Sequence, residues 1–108
     1  MFQRVFIASV LGVSVCVMGA FAAGQRHVIV QKEKAFSVAE LTVNAGDAVV
    51  FKNDDAVTHN VFSQTPGFEF NFKNQQPGTE EAASFYKTGT VEVRCAIHPK
   101  MKTIIHIQ

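Results

Sequence analysis

Near the end of the chain a thiol, an imidazole and a thioether recur at three-residue intervals, in Cys95-Ala-Ile-His-Pro-Lys-Met101. A further imidazole, His59, stands in Asn53-Asp-Asp-Ala-Val-Thr-His-Asn60. Thiolate and thioether stabilise Cu(I), while imidazole and thiolate accommodate Cu(II), so His59, Cys95, His98 and Met101 form a donor set for one copper ion in either oxidation state. Two His and one Cys make a trigonal plane, and a more distant Met completes the arrangement used for single-electron transfer. Zinc suits the set less well, because a thioether is not among its usual ligands. Taken singly, the residues read more blandly: a buried Cys is a small hydrophobe, a Met fills core, and a His sits in a turn. Their order, spacing and shared context point to a metal site.

Gly89 opens a strand in which side-chain alternation puts Val91, Val93 and Cys95 on one face. Pro99 blocks regular continuation, so residues 95–101 form a tight loop after that strand rather than one face of a helix. His59 is expected in a loop after the strand over residues 48–53. Further strands are expected over residues 27–31, 40–44 and 103–107, with a short extended piece at 36–38. Residues 68–72 alternate Phe with polar side chains, as a half-buried strand does. Residues 80–83 suit a helical turn, after which residues 84–87 resume the sheet. About seven short strands with turn residues between them predict an all-β fold, an antiparallel Greek-key sandwich or small barrel. The lack of long amphipathic helices argues against an α/β enzyme fold.

The 108 residues allow one domain. The chain opens Met1-Phe-Gln-Arg4, runs through apolar and small residues over 5–20, and reaches Ala20-Phe-Ala-Ala23 before Gln25 and Arg26. A positive start, an apolar run and an Ala-x-Ala cut predict a signal peptide over residues 1–22, with residues 23–108 as the exported domain in the periplasm. A membrane anchor is the competing reading, because the run approaches the roughly 20 residues that span a bilayer. Lipid attachment at Cys16 is disfavoured by the bulky Val15 before it. Nothing later in the chain is long and apolar enough to cross a membrane, so a soluble monomer without stable membrane insertion is expected. Without Arg4 the domain carries nine cationic and nine acidic side chains, which argues against a nucleic-acid partner. It also keeps one cysteine, Cys95, which is buried and inert, paired with another chain, or bound to a metal.

Two stretches carry a resemblance to a known family. Leu41-Thr-Val-Asn-Ala-Gly-Asp-Ala-Val-Val-Phe51, followed by Asn53 and His59-Asn60, is similar to the strand, turn, strand and first ligand of the cupredoxins, the plastocyanin and azurin superfamily. Gly89-Thr-Val-Glu-Val-Arg-Cys-Ala-Ile-His-Pro-Lys-Met101 resembles their ligand loop, and the short gap from His98 to Met101 resembles the amicyanin branch. The likeness covers roughly residues 26–108. It implies a cupredoxin-like sandwich with His59, Cys95 and His98 as equatorial ligands and Met101 as the axial one. It also implies that Asn60 ties the two ligand segments together and tunes the sulfur through backbone hydrogen bonding. Departures include Phe51 where the family often has Trp, Val91 and Val93 where amicyanins have aromatic residues, Arg94 before the Cys, and no Gly after Met101.

The function this implies is that of a type 1 (blue) copper protein carrying single electrons between periplasmic redox partners, and not that of an enzyme. His98 is the expected exit, with Lys100 and Lys102 beside it selecting an acidic partner such as a c-type cytochrome or a periplasmic dehydrogenase. The alternative is an exported copper carrier or buffer, which would be expected to show an open coordination position or a Met-rich or His-rich stretch. An enzyme with Cys95 as nucleophile would need a third orienting group, which the sequence does not suggest. His27 and His106 lack such a context and are expected at the surface.

Overall fold

Apolar and polar residues alternate over residues 40–43, 68–72 and 89–95, and short Val, Ile and Phe runs elsewhere favour strands. The computed structural model describes residues 24–108; the expected signal peptide, residues 1–22 with Cys16, lies outside the described residues. Nine strands form among the described residues: β1 (Arg26–Lys32), β2 (Ala35–Phe36), β3 (Glu40–Val43), β4 (Ala48–Asn53), β5 (His59–Ser63), β6 (Phe70–Gln75), β7 (Glu80–Ser84), β8 (Gly89–Cys95) and β9 (Lys102–Ile107). One sheet has the order β2-β1-β4-β7 and the other β3-β9-β8-β5-β6. They pack as the all-β sandwich expected from the sequence.

Four details differ from expectation. The sheets are mixed rather than antiparallel, because β1 pairs with β4 and β3 with β9 in parallel. The chain leaves the first sheet for β3 and returns in β4, and such a crossing yields parallel neighbours where a hairpin would not. His59 opens β5 instead of lying in a loop. The inward face of that strand carries His59, Val61 and Ser63, so two polar residues conceal the alternation. Strand β6 begins at Phe70 and runs to Gln75, later than the Phe pattern suggests, with an irregularity in its pairing to β5. Residues 80–84 form an edge strand on β4 despite a composition that favours helix, and residues 85–88 are not strand. Pairing with a neighbour outweighs intrinsic preference at such positions.

Ile29, Val49, Phe51, Val61, Val91, Val93 and Ile105 are fully buried between the sheets. Each such side chain contributes roughly 1.5–3 kcal/mol on burial. Phe51 lies at the centre, with ring centroids 6.2 Å from Phe36, 6.1 Å from Phe70 and 5.9 Å from Phe72.

Next to this apolar core a chain of buried amides links the sheets. Gln31 Nε2 on β1 donates to Gln75 Oε1 on β6 at 2.7 Å, and Gln75 Nε2 donates to the Phe51 carbonyl on β4 at 2.7 Å. Gln75 is the register partner of His59, so this link fixes the floor beneath β5. Asn53 shapes the segment that enters β5: its Nδ2 donates to the carbonyls of Val57 and Gln75, each at 2.9 Å, and its Oδ1 accepts the Asp55 N–H at 2.9 Å.

Candidate metal centre

Strands β5 and β8 are antiparallel neighbours, with Val61 opposite Cys95. That register sets His59, at the start of β5, beside Cys95, at the end of β8. The chain then turns through residues 96–100, and the Met101 N–H donates to the His98 carbonyl at 3.0 Å. Pro99 lies within that turn, as its fixed φ favours. The turn returns His98 toward the strand ends and Met101 into the interior, where it is 2% exposed. His59 and Cys95 are also buried, while His98 is half-buried.

The donor atoms of His59, Cys95 and His98 all lie within 4.8 Å of one another. His59 Nδ1 and His98 Nδ1 are 3.1 Å apart, and Cys95 Sγ is 3.7 Å from each. The imidazole rings meet edge to face with centroids 4.9 Å apart. Nitrogen and sulfur donors bind a first-row ion at about 2.0–2.3 Å, so two donors on one ion are at most about 4.5 Å apart. The three separations meet that condition, and the two-imidazole, one-thiolate set has the chemistry copper takes in both oxidation states. These residues fit a single copper ion.

The surroundings also settle which nitrogen of His59 faces the centre. His59 Nε2 lies 2.9 Å from Asp55 Oδ2. The Asp55 carboxyl is lowered to about 2 from its ordinary 3.8, first by the Lys34 backbone N–H and further by the His59 ring, with burial opposing. An ionised carboxylate only accepts hydrogen bonds, so Nε2 carries the hydrogen and Nδ1 presents its lone pair inward. Carboxylate partners of this kind fix ring orientation and raise ligand basicity at metal sites.

Cys95 Sγ accepts the Asn60 backbone N–H at 3.3 Å, and the Asn60 carbonyl accepts the Ala96 N–H at 2.9 Å. Asn60 therefore clasps the ligand loop through its backbone, as the family resemblance implied. Neither Asp55 nor Arg94 has a role legible in its local sequence. An acid four residues before a His in a loop is too common a spacing to stand out. Arg94 Nη1 donates to the Pro99 carbonyl at 3.0 Å and its Nε to Glu92 Oε2 at 2.9 Å, bracing the turn from outside. His106 lies at the surface beside Glu40 with its side chain 42% exposed, as expected, whereas the His27 side chain is only 21% exposed and bonded to the buried Asp47 at 2.9 Å. Neither His27 nor His106 belongs to the cluster.

A two-sheet sandwich holding Cys, His and Met on one short loop, with a second His from the neighbouring strand, defines a single-copper β-sandwich protein. Residues 25–108 match the family described as copper binding proteins, plastocyanin/azurin family. Amicyanin-alpha from Methylorubrum extorquens strain AM1 is 35% identical over 83 residues, which cover 74% of this chain and 69% of that protein. Among solved structures, a reduced amicyanin variant superposes with a TM-score of 0.72 at 24% identity, covering 82% of this chain and 88% of the other. A purple cupredoxin from Nitrosopumilus maritimus gives a TM-score of 0.68 at 22% identity, over 76% and 99% of the two chains. The chain belongs to the plastocyanin/azurin family of copper-binding proteins.

Proposed function

We propose that His59, Cys95, His98 and Met101 hold a type 1 copper ion and that the protein carries single electrons between redox proteins in the periplasm. The observation that carries this reading is the meeting of two Nδ1 atoms and one Sγ at mutual distances of 3.1 and 3.7 Å. Bound there, copper supplies a one-electron couple between Cu(I) and Cu(II).

The chain's own residues account for the rest. His59, Cys95 and Met101 are sealed in the interior and exclude water. Asp55 holds the His59 ring, Asn60 holds the sulfur, and Arg94 braces the turn, so the donors keep one arrangement in both oxidation states and little reorganisation accompanies electron transfer. His98 spans from the buried centre to a shallow hollow that it lines with Lys34, Ile97, Pro99 and Lys100, and its ring is the exit for the electron. A c-type cytochrome or a periplasmic dehydrogenase suits this face as partner. Residues 1–22 serve as the export signal, leaving residues 23–108 as a monomeric carrier; the charged start, apolar run and Ala-Phe-Ala cut support this.

The test is the visible spectrum of the domain after addition of Cu(II), with Cys95→Ser alongside. An intense thiolate-to-copper band that the substitution abolishes is expected. Copper bound without such a band would replace this reading with that of a copper carrier.

A further inference from the structure

The hollow beside His98 has a volume of about 300 Å³ and is lined by residues from two distant parts of the chain. Ile97 and Pro99 supply an apolar floor, and Ile97 is 48% exposed. Together they give the face beside the electron exit an apolar centre. Lys100 stands at the rim on the ligand loop, as the sequence suggests. The other rim cation is Lys34, which comes from the turn between β1 and β2. Lys102 does not line the hollow. It is paired in register with Arg94 and lies within electrostatic reach of Glu92, whose carboxyl is lowered first by Arg94 and also by Lys102.

The placement of Lys34 is built into the fold. Glu33 and Lys34 both have left-handed backbone angles, φ 52° and 57°, in a two-residue link that would ordinarily favour Asn and Gly. Two longer side chains persist in such a conformation where their surroundings hold them. The Lys34 N–H donates to Asp55 Oδ2 at 2.8 Å, and the same oxygen accepts His59 Nε2–H at 2.9 Å. One carboxylate oxygen thus holds both the inner ligand and the turn backbone that carries the outer cation. Among the described residues neither Lys34 nor Lys100 enters an ion pair, whereas Lys52 faces Asp54 at 3.7 Å and Arg94 faces Glu92 at 2.9 Å.

We infer that Lys34 and Lys100 form an unneutralised cationic rim around the apolar floor at His98, and that this rim selects a redox protein with carboxylates around a small apolar patch at its own electron-transfer edge. The inference rests on the electron-carrier reading and assigns its partner specificity to the β1–β2 turn instead of Lys102. Complementary charge at a rim acts mainly on association rate, so it is read in kinetics and in salt dependence.

The experiment uses two small oxidants of opposite charge, hexacyanoferrate(III) and tris(phenanthroline)cobalt(III), on the reduced copper-loaded protein in stopped flow. One electron passes from Cu(I) to the probe, giving Cu(II) with Fe(II) or Co(II), and no bond or proton need move. Lys34→Glu should slow the reaction with the iron anion about threefold to tenfold at low salt and speed that with the cobalt cation, with both effects shrinking as salt rises. Lys102→Glu should change either rate by less than about twofold. In parallel, the redox-inert hexacyanocobaltate(III) is titrated into the metal-free protein and followed by backbone amide shifts. Shifts centred on Lys34, Ile97 and Lys100 that vanish in Lys34→Glu are expected. Equal effects of Lys34→Glu and Lys102→Glu, or shifts centred on Arg94 and Lys102, would overturn the assignment. A protein that takes up no reducible copper would fail the electron-carrier reading, whereas the anion titration decides the rim independently.

Discussion

Asp55 is the side chain through which the folding of the loop and the chemistry of the centre meet. Its Oδ2 accepts from Lys34 N–H at 2.8 Å and His59 Nε2–H at 2.9 Å, while its Oδ1 accepts from Ala56 N–H at 2.9 Å. Replacing it with Asn leaves one accepting oxygen and one donating nitrogen. The oxygen must stay where two donors converge, so the amide nitrogen turns toward the exposed Ala56 N–H and that bond is lost. Asp55→Asn therefore keeps the His59 tautomer and removes the negative charge behind the ring together with the exposed Ala56 bond. Asp55→Ala removes the acceptor as well, leaving the Nε2–H without this partner, the tautomer unfixed and the ring freer to rotate. Carboxylate partners of metal-bound His are worth about 10- to 100-fold in affinity, so Asp55→Asn should fall near the lower figure and Asp55→Ala near the upper. The assay is competition for Cu(II) against a chelator of known affinity, with the visible band of each variant recorded at saturation. Copper binding by Asp55→Ala as tight as that of the parent, or the reverse order of the two variants, would refute this account of the site.

Three further outcomes follow from the fold. Phe51→Ala empties the centre of the aromatic cluster and should cost about 3–5 kcal/mol, measured as the shift in a urea unfolding midpoint at unchanged slope. Asp47 is held below its ordinary 3.8, first by its bond to His27 and then by the N–H groups of Asn44 and Gln25. A carboxyl lowered by folding adds stability that is full above the unfolded value near 3.8 and is lost as pH falls through the lower folded value. Unfolding followed from pH 6 to pH 2 should therefore show a shallower acid limb in Asp47→Asn than in the parent, and identical limbs would contradict the pairing. Arg94→Gln unties the Pro99 carbonyl and should speed hydrogen exchange of the amides of Ile97, His98, Lys100 and Met101 and copper loss to a chelator severalfold, with the β1–β4 amides unchanged. Exchange that rose equally in both regions would mean a general loss of stability rather than a freed turn.

The donor cluster was legible because Cys95, His98 and Met101 are of rare types gathered where β8 ends, although His59 reaches it from the start of β5. Cys95 shares the β8 face of Val91 and Val93, and Pro99 stops the strand, so three of the four donors fall in one seven-residue window. The all-β class was legible because alternation along β3 and β8 survives in the sequence. Sheet pairing was not. Nothing in β1 or β4 alone says that they lie parallel, because that follows from a crossing whose partner strand, β3, sits in the other sheet. Strand β5 escaped notice because its buried face holds His59 and Ser63, which read as loop residues.

The polar inward face of β5 has a physical cause that bears on how such a centre is built. A metal ligand buried in a strand must carry polar atoms into the interior, and each needs a partner there, since an unpaired buried polar group costs roughly 1–3 kcal/mol. His59 meets the requirement with Asp55 on one nitrogen and the ligand cluster on the other. Its register neighbour Gln75 meets it by spanning the two sheets to Gln31 and Phe51. The residues that make β5 look unlike a strand are thus the ones that let it hold a ligand, and the partner that His59 meets across the cluster, His98, lies 39 positions away along the chain. Local pattern can report a strand, or a cluster of donors, but the satisfaction of a buried polar face is a property of the folded sandwich. The same reasoning explains why Asp55 and Lys34, 21 positions apart, act on the centre together although neither is a ligand. What fixes the first ligand here is a hydrogen-bonded support assembled from β1, β4, β6 and the segment between β4 and β5, and variants in that support should disturb copper binding before they disturb the fold.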